Sequence, residues 1–203
     1  MLSVIIVIAI FITMLWYTVF YILSVGPAQL EKKIGERSYK VCAILRKISF
    51  VGMALSMIGE ILYFFFPMNI GIKERIMDGV LGWVISILIG LLLCLFATLI
   101  IVKVSKIAKD SFVPQKSNEM FGGIYNKIRH PQAIADVTYW FALAFLLNSL
   151  FLLLIAILWI PLNLIIVVFE ERDLKIRYGS AYLDYMSRTG RFFPRRAKYV
   201  SSK

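Results

Sequence analysis

The residues able to do chemistry are few and fall into two groups. The first is Arg129-His130-Pro131, which closes the polar stretch "GGIYNKIRHPQ" (122–132), begun by Gly122 and carrying Tyr125 and the chain's single histidine. The second starts at Glu170-Glu171-Arg172 and runs through Gly179, Tyr182, Tyr185 and Arg191 to Pro194. Between them lie 33 residues, Val137 to Phe169, without a charge. If that run folds back on itself, its two ends meet on one membrane face. A guanidinium, an imidazole and two carboxylates then surround one pocket, which suits a ligand bearing amino and carboxylate groups together with hydroxyls. A further carboxyl, Glu60, stands alone in an apolar run. Such a group is expensive inside a bilayer and usually faces a cavity or a partner. It reads either as a substrate-cavity residue or as a hydrogen-bonded brace between helices.

Other chemistries find no support. Cys42 and Cys94 show no CxxC spacing, so no disulfide framework is indicated. One His and two scattered Cys do not make a zinc site, and no metal is expected. No Gly-rich phosphate-binding motif of either common kind occurs.

The elements that must position these groups are membrane helices. The chain is 60% hydrophobic, against about 45–50% for ordinary soluble domains, and its mean hydropathy is +0.80. Leu2–Val25 and Gly79–Val102 are 24-residue runs without a charge, and Ile48–Phe66 is a 19-residue run broken only by Glu60. Each reaches the roughly 20 residues that cross a hydrocarbon core of about 30 Å. The first run lacks a basic flank and a cleavage site and reads as a retained span. The 33-residue run would be about 50 Å long as one helix, too long for one crossing. Split at Asn148-Ser149 it makes a hairpin of Ala133–Leu147 and Leu150–Phe169. The alternative is one helix, steeply tilted or kinked at Pro161, which the rarity of tilts beyond about 40° disfavours.

The expected fold is therefore all-α and polytopic, a single membrane domain over 1–203 with about five transmembrane helices. Residues 1–121 hold spans one to three and their loops; 122–196 hold the polar motif, the C-terminal helical hairpin and a tail. The tail should form an interfacial helix over Phe169–Ser187, interrupted by Gly179. Gly82, Ser86 and Gly90 share one helix face, as do Gly52 and Ser56, and read as packing seams.

Charge orients the bundle. With five spans, 21 of the 23 Lys and Arg fall on one face and 2, Lys73 and Arg75, on the other. Basic loops stay cytoplasmic, so the N-terminus is expected outside and the C-terminus in the cytoplasm. Anionic lipid head groups account for the net charge of +11; no nucleic-acid-binding fold is visible.

"GGIYNKIRHP", a helical hairpin, and then "EERDLKIRYGSAYLDYMSRTGRFFP" together resemble the isoprenylcysteine carboxyl methyltransferase family, within a wider set of membrane methyltransferases that includes phospholipid N-methyltransferases. The likeness covers about Gly122 to Pro194. It implies a multi-span helical fold, S-adenosyl-L-methionine as cofactor, and a lipid-like or prenylated substrate that comes from the bilayer. It implies that Tyr125, His130, Pro131, Glu170 and Tyr182 bind the cofactor. Arg129, Glu171 and Arg191 serve the chemical step, Arg129 holding a substrate carboxylate and Arg191 standing second for that work. The carboxylates would take cofactor hydroxyls or amine, or brace the arginines; Tyr182 and Tyr185 are equally readable as interfacial anchors. The chain departs from the family at Ala133, where an aromatic is common, and before Gly122, where a Trp-containing stretch is missing. Three functions follow: methylation of a lipid-linked, isoprenylcysteine-like carboxylate, methylation of a phospholipid amine, or a non-catalytic membrane scaffold.

Overall fold

The computed structural model describes residues 1–69, 71, 73–108, 114 and 122–195. Among these there are seven α-helices and no β-strand: α1 (Leu2–Ser24), α2 (Pro27–Ile34), α3 (Arg37–Phe65), α4 (Gly79–Ile107), α5 (Pro131–Leu146), α6 (Leu150–Tyr178) and α7 (Ser180–Arg188). Four of them, α1, α3, α4 and α6, are long and apolar enough to cross a membrane. Their outward faces carry exposed apolar side chains such as Leu15, Leu81, Leu92 and Ile157. A helix that is apolar all round belongs in lipid or in a core, and these faces have no protein core to meet. The fifth member, α5, has 16 residues and rises about 24 Å. It packs between α4 and α6, short of a full crossing by length alone.

Small residues set the close contacts. A Cβ on Gly52 would come within 2.6 Å of the Trp16 ring and 3.1 Å of the Tyr17 nitrogen, and one on Gly59 within 2.9 Å of Ile10. Those two glycines let α3 lie against α1. A Cβ on Gly90 would fall 2.8 Å from the Leu146 nitrogen, and Ser86 Oγ donates to the Phe145 carbonyl at 2.6 Å. This seam joins α4 to α5, whereas Gly82 faces Met77 instead. Trp159 of α6, fully buried, ties three helices together, its ring 5.1 Å from Tyr17 of α1 and 5.2 Å from Trp140 of α5.

The hairpin turns where the sequence places it. Asn148 takes φ 48°, and Ser149 caps α6 by accepting the Leu152 N–H at 3.4 Å. The turn is closed from outside by the loop before α4. Asn148 Oδ1 accepts from the Met77 N–H at 3.0 Å, its Nδ2 donates to the Met77 carbonyl at 2.8 Å, and the Leu150 N–H donates to the Glu74 carbonyl at 3.0 Å. Pro161 sits inside α6 without ending it.

The tail breaks at Gly179 as expected, φ 55° there separating α6 from the nine-residue α7, but it does not start afresh at Phe169: α6 continues unbroken from the apolar run to Tyr178. The first charge after Phe169 ends the apolar window, but charged residues do not break a helix. Glycine does, since it adopts the left-handed region at no steric cost.

Three of the basic segments gather at one end of the bundle. There the Asp173 carboxylate of α6 accepts the Ala28 and Gln29 N–H groups at the start of α2, at 3.2 and 2.8 Å. Gly122 and Gly123 pack against Ile107 at the end of α4. The loop carrying Lys73 and Arg75 lies at the other end, with the hairpin turn. Of the basic residues counted on the richer face, Lys109, Lys116, Arg196, Lys198 and Lys203 lie outside the described residues.

Candidate active site

Two segments distant in sequence are laid side by side by backbone hydrogen bonds. The Arg129 N–H donates to the Gly190 carbonyl at 2.9 Å, and the His130 N–H to the Arg191 carbonyl at 3.1 Å. The pairing is a short parallel bridge between the strand-like residues before α5 and those after α7. It requires glycine at 190, because a Cβ there would fall on the Phe193 carbonyl. Pro131 then opens α5, at a position where its missing N–H costs nothing. A 3-10 turn over Gly123–Asn126 presents Tyr125 to the tail. The Tyr185 hydroxyl donates to the Tyr125 carbonyl at 2.8 Å, and the Tyr125 hydroxyl donates to Gln132 Oε1 at 3.2 Å.

Glu171 is the hub. Its Oε1 accepts from Arg129 Nε at 3.0 Å and Arg191 Nε at 3.2 Å; its Oε2 accepts from Arg191 Nη2 at 2.6 Å. His130 Nε2 lies 3.2 Å from the same Oε1. Glu171 is 3% exposed and His130 1%. Arg129 also donates through Nη1 to the carbonyls of Thr189, at 2.5 Å, and Met186, at 3.3 Å. Its guanidinium thus ties α6 to the end of α7. The Arg191 side chain keeps 40% of its surface exposed.

His130 lies between two carboxylates. Nδ1 is 3.4 Å from Glu170 Oε2, an ion-pair distance. Burial pushes the imidazole toward its neutral form, but Glu170 and Glu171 together outweigh it and raise the pKa above the ordinary histidine value. A neutral ring has one N–H for two acceptors, and the protonated ring has one for each. Burial likewise raises the phenols of Tyr182 and Tyr185, the latter to about 12. The Tyr182 hydroxyl is buried without a hydrogen-bond partner.

Beside this cluster a cavity of about 230 Å³ opens into the bundle. Glu170 borders it, and Tyr17, Tyr21, Phe50, Ile166 and Ala133 form much of its wall. Gln132, Asp136 and Asn163 are further polar groups on its lining. Asp136 Oδ2 accepts from Trp159 Nε1 and Asn163 Nδ2, both at 2.8 Å.

The structure brings together Arg129, His130, Pro131, Glu170, Glu171 and Arg191, with Tyr182 of α7 packed against Leu174 and Tyr185 and Tyr125 buried in the 3-10 turn against α4 and α5. Glu60 is not among them, nor among the residues lining the cavity. It lies on α3, 1% exposed, with neither carboxyl oxygen hydrogen-bonded. Arg129, expected to hold a substrate carboxylate, donates to Glu171, Met186 and Thr189. Sequence reading passed over Asp136, Arg46 and Asp173. Arg46 is buried on α3, donating to Ser24 Oγ at 3.1 Å and lying 4.9 Å from the Tyr21 ring. For Asp136 a signal existed: Gln132, Asp136 and Tyr139 recur at helical spacing and share one face, as do Asn163, Val167 and Glu170 on α6.

A family model described as phospholipid methyltransferase matches residues 79–181, which is 103 of the chain's 203 residues. The match takes in α4, α5, α6 and the first residues of α7. No curated protein and no solved structure matches the chain.

Proposed function

We propose that this chain, which belongs to the phospholipid methyltransferase family and is by that membership a membrane methyltransferase, transfers a methyl group from S-adenosyl-L-methionine to the polar head of a lipid drawn from the bilayer. The observation that carries the reading is the junction of a buried charged cluster, Arg129, His130, Glu170, Glu171 and Arg191, with an apolar cavity between membrane helices. Residues 122–195 supply the cofactor side; α1 and α3 complete the lipid side. The residues fit the cofactor's chemistry: Glu170 offers a carboxylate to its amine, and the buried Tyr182 hydroxyl lacks a hydrogen-bond partner. The bound sulfonium supplies an activated methyl group.

Displacement at that methyl needs alignment above all, and fixed geometry can supply several kcal/mol of the barrier. Pro131, the backbone pairing with Gly190 and Arg191, and the Glu171 hub hold that geometry. The buried walls keep water from the reacting atoms and strengthen the electrostatics inside. Arg129 and Glu171 act in this scheme as positioning residues. Arg191, paired with Glu171 yet part-exposed, is the cation able to meet an anionic group. Its placement is what supports a lipid-linked, isoprenylcysteine-like carboxylate as acceptor, the guanidinium fork matching a carboxylate in two-point contact. A phospholipid amine makes the opposite demand, for negative charge in the cavity.

The orientation proposed is N-terminus outside and C-terminus cytoplasmic, supported by the gathering of basic segments at the cluster's end of the bundle. The test of function is titration of S-adenosylhomocysteine into wild type, His130→Ala and Glu170→Gln in lipid nanodiscs, with transfer of labelled methyl to lipid extract as second readout. Weaker binding in both variants is expected. Equal affinity across three folded proteins would overturn the assignment of the cluster to the cofactor.

A further inference from the structure

The end of the bundle opposite the charged cluster holds a cavity of its own. It measures about 260 Å³ and lies where the loop before α4 folds over the hairpin turn, with Tyr63, Phe64, Glu74, Arg75, Trp83 and Asn148 on its lining. The loop is fastened there by its backbone. The Ile76 N–H donates to the Asn148 carbonyl at 3.3 Å and the Leu150 N–H to the Glu74 carbonyl at 3.0 Å, with Arg75 and Ser149 bridged between them. Arg75 is thereby fixed at the cavity. Its guanidinium lies 5.7 Å from the centre of the Trp83 ring, within reach of a cation–π contact. Stacking uses the face of a guanidinium and leaves its N–H edge for an acceptor. Among the described residues no side chain or carbonyl accepts from that edge. Lys73, the other basic residue of the loop, is paired with Asp78 at 2.6 Å.

The cavity sits at the level of a bilayer surface. Trp83 stands near the start of α4, just after Val80 and Leu81, two apolar residues that are exposed. Aromatic rings beside such a face gather at the depth of lipid head groups. The acceptor that a planar N–H fork matches best at that depth is a phosphodiester, met in two-point contact. Glu74, on the same lining, balances the charge of the guanidinium, so the site selects by the geometry of the fork and not by net charge.

We propose that Arg75 and Trp83 form a lipid site, in the leaflet opposite the methyl-transfer cluster, that holds the phosphodiester of one glycerophospholipid. The bound head group clamps the loop before α4 onto the hairpin turn. No methyl is transferred there and no cofactor is needed.

The experiment uses the full chain in maltoside micelles and reads hydrogen exchange at the Ile76 and Leu150 amides. The probes are dioleoylphosphatidylcholine, which has the phosphodiester and no amine N–H, dioleoylglycerol, which has the same chains and no phosphate, and inorganic phosphate. A ligand that binds only the closed loop slows such exchange about 10-fold at about ten times its half-saturating concentration. Phosphatidylcholine is expected to do so, and the other two probes to act by less than about 2-fold. Arg75→Gln should weaken the lipid by about 10-fold or more, the loss of a hydrogen bond from a charged donor. At the same lipid concentration the slowing then falls to about 2-fold or less. Lys73→Gln makes the same charge change off the cavity lining and should keep the full slowing. Equal slowing by dioleoylglycerol would mean that the cavity takes acyl chains, and equal slowing by inorganic phosphate a free-anion site. Either overturns the proposal, as does full slowing in Arg75→Gln or none in wild type. Should Arg75→Gln lose the loop's protection before lipid is added, the three probes on wild type decide. With no cofactor present, failure here leaves the methyltransferase reading untouched.

Discussion

Replacing Glu171 by Gln should release the C-terminal tail from the bundle before it unfolds anything else. The carboxylate is 3% exposed and receives Arg129 Nε, Arg191 Nε and Arg191 Nη2. The two guanidiniums do not count equally. Arg191 is 40% exposed, so water screens its charge and its share is small. Arg129 is 8% exposed, and loss of its counter-charge leaves a buried cation, a cost of about 3–5 kcal/mol. A carboxamide still accepts one hydrogen bond, which argues for the lower end, about 3 kcal/mol, or roughly 150-fold in a local opening equilibrium. That opening breaks the Arg129 N–H to Gly190 and His130 N–H to Arg191 hydrogen bonds. Hydrogen exchange of the intact chain in nanodiscs reads it directly, at the amides of Arg129 and His130. Arg129→Lys is the control for geometry, since one ammonium keeps the charge without the planar fork that reaches Glu171, Thr189 and Met186 together. Exchange at these two amides within about 3-fold of wild type in Glu171→Gln would refute the hub as the fastening of the tail.

Three other outcomes are expected. Folding stability should depend on pH through His130: its pKa is raised in the folded site, so the stability it contributes is fully present below the ordinary histidine value and is lost as pH rises through the raised one. Melting temperatures across that window, falling with pH in wild type and with a smaller slope in His130→Gln, check this. Glu60→Leu should raise the melting temperature with turnover unchanged, because it removes a buried carboxyl whose oxygens have no hydrogen-bond partner; lost turnover at unchanged stability would return Glu60 to the substrate path. Tags at the two termini should be protected at the N-terminus and reactive at the C-terminus in sealed vesicles of cytoplasmic-side-out orientation; a cytoplasmic N-terminus would break the charge argument or the count of spans.

The helices and the hairpin were legible because they follow from length and periodicity. A run of 33 uncharged residues has few ways to sit in a bilayer, and Asn148-Ser149 is the polar break within it. The side-by-side placement of Arg129-His130 and Glu170-Glu171 follows from that one turn. What each side chain does there was not legible. Glu170 and Glu171 are neighbours in sequence, yet a helix turns about 100° between them. Glu171 therefore meets two arginines, while Glu170 faces the cavity. The bonds that Arg129 makes were hidden for a related reason. The carbonyls of Met186 and Thr189 that it bonds come from beyond Gly179, and the bend that returns them is a matter of backbone dihedrals at one residue.

Asp136 shows where counting misleads and phase does not. Measured as charge along the chain, it is merely the last charged residue before the long apolar run, a boundary mark. Measured as angle around a helix that begins at Pro131, it falls on the face of Gln132 and Tyr139, which lines the cavity. The α6 residues Asn163, Val167 and Glu170 repeat the same phase on the opposing wall. Two antiparallel helices whose polar residues occupy matching phases enclose a polar-lined space between them; the same residues scattered in phase would face lipid and be expelled. The cavity is thus encoded in the agreement of two helical phases, a quantity that neither a hydropathy window nor a motif of adjacent letters contains.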